Sequence, residues 1–160
     1  TASLQGAFNS AEGTIAAWAQ IVNAAFWTDA SIHRIMQFQV DASNVVRIGK
    51  TGVNNQLNGT YTAGGTTNSV NLTTAGPLTW LHIAITWSKS ADQVKFYING
   101  AQSGATQTGL GVWVGNLAAA TTAVGAAGTS GASPWGGMFA HAAVWSTPLS
   151  AAQVATLAVV

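Results

Sequence analysis

Acid–base hydrolysis needs two carboxylates flanking one bond, about 5 to 5.5 Å apart when configuration is retained. This chain of 160 residues has four acids, Glu12, Asp29, Asp41 and Asp92. Asp41 and Asp92 lie in polar stretches that read as turns, where a short carboxylate serves its own backbone. No stretch carries a Glu-x-Asp-x-x-Glu pattern. Nucleophilic chemistry is no better supplied: there is no Cys, no Gly-x-Ser-x-Gly elbow, and no local grouping of Ser with His and Asp. Gly49-Lys50-Thr51 imitates the tail of a phosphate-binding loop, but Asn44 stands where the leading Gly belongs and the residues between read as a strand. His33, His82 and His141 lack metal-ligand spacing, and His82 and His141 read as strand-face residues with a backbone or solvent partner.

Sugar recognition asks for different groups. A sugar presents apolar faces ringed by hydroxyls, so aromatic rings with nearby amides and hydroxyls suffice and charge is optional. The chain has seven Trp among abundant Asn, Gln, Ser and Thr. Trp27, Trp113 and Trp135 fall in or beside expected loops and are the candidate ligand-binding residues, whereas Trp18, Trp87 and Trp145 fall within strand patterns and are assigned to the core. A loop Trp that merely closes the end of a sandwich is the competing reading for all three. Nucleic acid is disfavoured, because the only basic residues, Arg34, Arg47, Lys50, Lys89 and Lys95, are scattered.

The elements that would hold these groups read as strands. From Trp80 to Trp87 the chain alternates Leu81, Ile83, Ile85 and Trp87 against Trp80, His82, Ala84 and Thr86, the period of a two-faced strand. A polar turn leads to a second strand with Val94, Phe96 and Ile98 on one face. Asn99-Gly100 then predicts a type I′ hairpin, because both residues tolerate positive φ. The outcome is a three-stranded meander. Ile35–Val40, with Met36, Phe38 and Val40 opposed to Ile35, Gln37 and Gln39, and Asn44–Ile48 predict another hairpin through Asp41-Ala42-Ser43. Asn58-Gly59 reads as a turn and Ser69–Thr73 as a strand. In the Gly- and Ala-rich stretch that follows, Val112–Val114 and Thr122–Gly125 are the expected strand pieces and Gly128–Pro134 an exposed loop. Ser150-Ala151-Ala152-Gln153 has capping-box spacing, so a short helix follows that docks through Val154 and Leu157.

Trp80–Gly100 resembles the central signature of laminin-G-like, concanavalin A-like jelly rolls. Gly13–Ala19 resembles that family's early strand, and Gly136–Trp145 followed by Pro148–Val154 resembles its closing strand and short helix. The resemblance implies an all-β fold, an antiparallel two-sheet β-sandwich of jelly-roll type with a short C-terminal helix, as a single domain over residues 1–160. Members often hold calcium at one rim, yet where the closing strand commonly carries an acidic pair this chain has Ala140 and His141. Asp29 or Asp92 with backbone and Asn carbonyls is the most it offers calcium, and no cofactor is expected.

Only 6% of residues are charged, against about 25% in ordinary domains, and the net charge is +1. Either the surface is of the neutral kind common in extracellular β-proteins, or much of it faces other protein. The chain begins at Thr1 without Met and without a signal-like opening, which reads as a processed, trimmed or partial chain. No apolar run approaches the roughly 18 residues of a membrane span. The closing strand and the Leu-Ser-Ala-Ala after it resemble phage and bacterial members. The expected function is therefore a non-catalytic surface module, extracellular or on a virion as a capsid decoration or tail-fibre domain. Its expected partners are itself, capsid or tail proteins, and possible cell-surface glycans. A secreted lectin-like domain is the alternative, and a glycoside hydrolase the distant one.

Overall fold

The computed structural model describes residues 2–53, 56–73 and 78–159. One antiparallel sheet is built from β1 (Glu12–Ile21), β6 (Leu81–Ser88), β7 (Gln93–Ile98), β8 (Ala101–Gln102) and β10 (Gly137–Trp145), in the order β10-β1-β6-β7-β8. The second holds β2 (His33–Asp41), β3 (Asn44–Lys50), β4 (Gln56–Ala63), β5 (Thr66–Thr73) and β9 (Ala123–Val124), in the order β5-β4-β3-β2-β9. Helices α1 (Ala2–Ala7), α2 (Ala24–Thr28) and α3 (Ala151–Leu157) are short. This is the two-sheet sandwich that the jelly-roll reading implies.

The inner faces interlock as the period-two patterns require. Ile15, Ala17, Ile83, Ile85, Val94 and Phe96 of the first sheet meet Phe38, Val46, Ile48, Leu57, Tyr61 and Leu72 of the second. Trp87 is fully buried and donates its indole N–H to the Asn9 carbonyl at 3.1 Å. The Asn99-Gly100 turn forms with φ of 48° and 79°, and the Asn99 side chain accepts from the His82 backbone at 3.0 Å. The capping box at Ser150 forms as well, with Gln153 reaching back to the Ser150 N–H at 2.8 Å. Val154 then docks α3 on the outer face of the first sheet, where Ala16 and Ala84 are small enough to admit it beside Tyr97.

Four local expectations are corrected. Asn58-Gly59 lies inside β4, and the turn comes instead at Gly64-Gly65, both with positive φ. Val112–Val114 is irregular, with the Val114 N–H bonded to the Asn44 side chain at 2.9 Å, although Ala123–Val124 does form β9. Ile35 does not share the face of Gln37 and Gln39, because the register of β2 shifts between Arg34 and Met36 and both Ile35 and Met36 enter the core. The third strand of the meander is confined to Ala101–Gln102.

Candidate functional site

A groove of about 680 Å³ opens on the outer face of the first sheet beside α3, lined by Trp18, Trp80, Ala140, His141, Leu157 and Val159 together with Thr156. Strand parity explains Trp18: its neighbours Ala17 and Ala19 are in the core, so Trp18 faces outward. Its indole N–H donates to the Leu157 carbonyl at 3.2 Å, tying the strand to the end of α3. Trp80 precedes β6 and is 39% exposed. The far wall depends on a β-bulge. Ala16 pairs with Ala143 but Trp18 pairs with Ala140, so His141 and Ala142 together oppose Ala17. His141 takes a φ of 51° there, and Ala140 and His141 both line the groove instead of alternating across the strand.

Beside Trp18, paired with it across β1 and β6, lies His82, 2% exposed, with ring centroids 5.5 Å apart. Its Nδ1 is the unusual atom. It is buried with no hydrogen-bond partner among the described residues, a condition that costs free energy. Burial pushes the His82 imidazole below its ordinary range, so the ring is neutral near neutral pH.

The sequence-derived Trp candidates are divided between the two ends of the sandwich. Trp27 and Trp135 are 5% and 9% exposed and close one end together against Leu57 and Leu81. They pack as end-closing core residues rather than as open stacking platforms. Trp113 is at the other end, half-buried against Phe8 and Tyr61, and edges a polar cleft of about 230 Å³ with Gln5, Asn9 and Asn116. Sequence reasoning missed Trp18 and Trp80. Trp18 carried a signal that pointed elsewhere, since a strand Trp is core only on the strand's inward face.

The acids are engaged in structure. Glu12 accepts from the Ser90 hydroxyl at 2.7 Å, and Asp41 from the Ser43 N–H at 2.8 Å. Asp92 accepts from the Gly109 and Leu110 N–H groups, both at 2.8 Å, and these hold its pKa below the ordinary value. Asp29 is bonded by the Lys50 ammonium at 2.9 Å and by His33 Nε2 at 2.8 Å, which bring it down to about 2. A general acid needs a shift in the opposite direction. The family's calcium does not fit here. Lys50 occupies the oxygens around Asp29, both Asp92 oxygens hold backbone N–H groups, and the described residues contain no group of three or more His, Cys, Asp or Glu placed to hold a metal. No helix among the described residues is long and apolar enough to cross a membrane.

Solved structures share this architecture. A heptameric SAP-like pentraxin from Limulus polyphemus superposes with a TM-score of 0.69 at 15% identity, covering 96% of this chain and 72% of that one. The CBM40 of the Ruminococcus gnavus IT-sialidase, bound to α2,3-sialyllactose, gives 0.68 at 15% identity over 98% of this chain and 86% of that one. A putative carbohydrate binding protein from Bacteroides ovatus gives 0.65 at 16% identity over 91% of this chain, which spans 40% of the other. At such identities the likeness concerns the fold. No curated protein matches the chain in sequence. The family model described as the concanavalin A-like lectin/glucanases superfamily matches residues 1–155, and the chain belongs to that family.

Proposed function

We propose that residues 1–160 act as one non-catalytic, lectin-like domain that binds a glycan in the groove between Trp18, Trp80 and His141. The observation that carries this reading is the groove itself. Two indoles, the one of Trp80 39% exposed, converge on a concave surface beside a buried imidazole nitrogen that lacks a partner among the described residues. Aromatic walls suit the apolar face of a sugar, and His141 with Thr156 supplies polar contacts at the rim. The likeness to carbohydrate-binding modules supports the same direction. Titration of tryptophan fluorescence against a panel of neutral oligosaccharides tests it. A sugar that binds the parent should bind Trp80→Ala at least roughly tenfold more weakly. Retention of full affinity in Trp80→Ala, or no response to any sugar, would sink the groove as a glycan site.

A second reading, assembly on a virion or other extracellular surface, has its own support. β10 is an edge strand whose only ionisable side chain is His141, with Met138 and Phe139 50% and 45% exposed. Apolar edges of this length invite pairing unless they are blunted by charge or Pro. Self-association through β10 would explain the scarce charge and would suit a capsid-decoration or tail-fibre role. Light scattering at rising concentration should detect an oligomer that Phe139→Lys converts to monomer. A parent that stays monomeric at the highest concentrations removes this reading.

A further inference from the structure

The second sheet carries a feature that glycan binding in the Trp groove does not use. On β3, Val46 and Ile48 enter the core, so Arg47 and Gly49 face outward. On β2, Met36 and Phe38 enter the core, and simple alternation would turn Arg34 inward with them. The irregularity between Arg34 and Met36 prevents this. It places Ile35 in the core and returns Arg34 to the outer face, paired with Gly49 and one strand from Arg47. Gly49 is required for that approach, since a Cβ there would lie 3.1 Å from the Arg34 Cα and collide with the His33 carbonyl.

Neither guanidinium has a partner. Both arginines are partly buried, yet among the described residues neither makes an ion pair or a side-chain hydrogen bond. No acid is left over to supply one. Glu12 is held by Ser90, Asp41 closes its own turn, Asp92 caps Gly109 and Leu110, and Asp29 is bonded by Lys50 and His33. Burial and then the Arg47 charge pull Arg34 down to about 10, and burial lowers Arg47 as well, so both remain charged at neutral pH while repelling each other. Two partly buried like charges brought together by a bulge and a glycine repel each other and favour a counter-charge from outside.

We propose that Arg34 and Arg47 form an anion site on the outer face of the second sheet that takes the carboxylate or sulfate of an acidic glycan. Planar guanidinium forks match such oxyanions bidentately. The adjoining face is polar, with Thr60 buried and the amides of Asn58 and Asn71 nearer the surface. Thr60 is paired across from Arg47, its hydroxyl bonded to Asn58 at 2.5 Å, and Asn58 is bonded to Asn71 at 3.0 Å. This row of hydroxyl and amide groups is uncharged.

Calorimetric titration of the whole chain at low ionic strength tests the site. The probes are a glucuronate-containing disaccharide, a sulfated galactose disaccharide, each one's neutral counterpart, and inorganic sulfate. We expect one or both acidic sugars to bind, the neutral counterparts to bind at least tenfold more weakly at this face, and Arg34→Gln and Arg47→Gln each to lose tenfold or more. Both variants should melt no lower than the parent, because each relieves repulsion, and Trp80→Ala should leave acidic-sugar binding intact. Loss of acidic-sugar binding in Trp80→Ala with retention in the arginine variants assigns the anion to the Trp groove and overturns this site. Inorganic sulfate binding as tightly as the sugars overturns the glycan assignment. Lower melting temperatures with unchanged binding would make the pair structural and overturn it as well.

Discussion

Replacing Lys50 with methionine is expected to lower the melting temperature by about 10 °C at neutral pH. The Lys50 side chain is fully buried, and its ammonium donates to the Asp29 carbonyl at 2.6 Å, the Asp29 carboxylate at 2.9 Å, the Ser31 carbonyl at 2.9 Å and the Thr51 carbonyl at 3.1 Å. Four oxygens converge on one tethered cation, much as a loop gathers around a metal ion. Methionine fills a similar volume but donates nothing, so those oxygens lose their partner. Leaving a partly buried carbonyl without its charged donor costs about 1 to 3 kcal/mol, and for a chain of this size each kcal/mol moves the midpoint by roughly 2 to 4 °C. Asp29 gives the pH signature. Its folded pKa, about 2, lies below the ordinary 3.8, so its stabilising contribution is fully present above that ordinary value and is lost as pH falls through the folded one. Lys50→Met raises the folded value and narrows this window, leaving less acid-dependent loss to observe. Thermal melts of both proteins at neutral pH and across the acid window measure each part. A variant melting within 2 °C of the parent would mean that water replaces the ammonium without cost.

Gly59→Ala is expected to cost about 2 kcal/mol, several degrees in melting temperature, although it adds one methyl group. Gly59 sits on the inner face of β4 between Ile48 and Val70. A Cβ there would overlap the Phe96 ring and stand 3.3 Å from Ile85 Cδ1. Phe96 is fully buried and has little room to yield. The double variant Gly59→Ala, Phe96→Leu separates this packing conflict from any change in strand pairing. If the ring is the obstacle, adding alanine to the Phe96→Leu background costs much less than adding it to the parent. An equal cost in both backgrounds would place the defect in the β4 backbone.

Gly59 also explains why Asn-Gly misled at one place and succeeded at another. At Asn99-Gly100 the dipeptide follows a strand whose apolar alternation stops, and the chain reverses. At Asn58-Gly59 the same dipeptide continues between Leu57 and Tyr61, both inward-facing, and glycine is there because a ring from the opposite sheet occupies the side-chain space. Local sequence carries the conformational tolerance of glycine but does not say whether a turn or a neighbour makes use of it. The two bulges have the same origin. Ile35 and His141 change which residues share a face, and that change depends on the pairing strand.

The chain's own order of residues determined the Trp80–Gly100 meander, the Ser150 helix cap, the family, and the lack of a locally paired set of carboxylates. Those depend on period, turn chemistry and composition, which act over a few neighbouring residues. Tertiary structure decided which aromatic rings were open. Trp27 and Trp135 lie in loop-like sequence yet close the core, while Trp18 lies in a strand yet lines the groove, because alternation specifies two faces and only the packing of the second sheet and α3 specifies which is covered. It also brought Lys50 into its oxygen cluster, and the register shift in β2 turned Arg34 onto the face of Arg47, where the predicted hairpin with simple alternation would have set them on opposite faces.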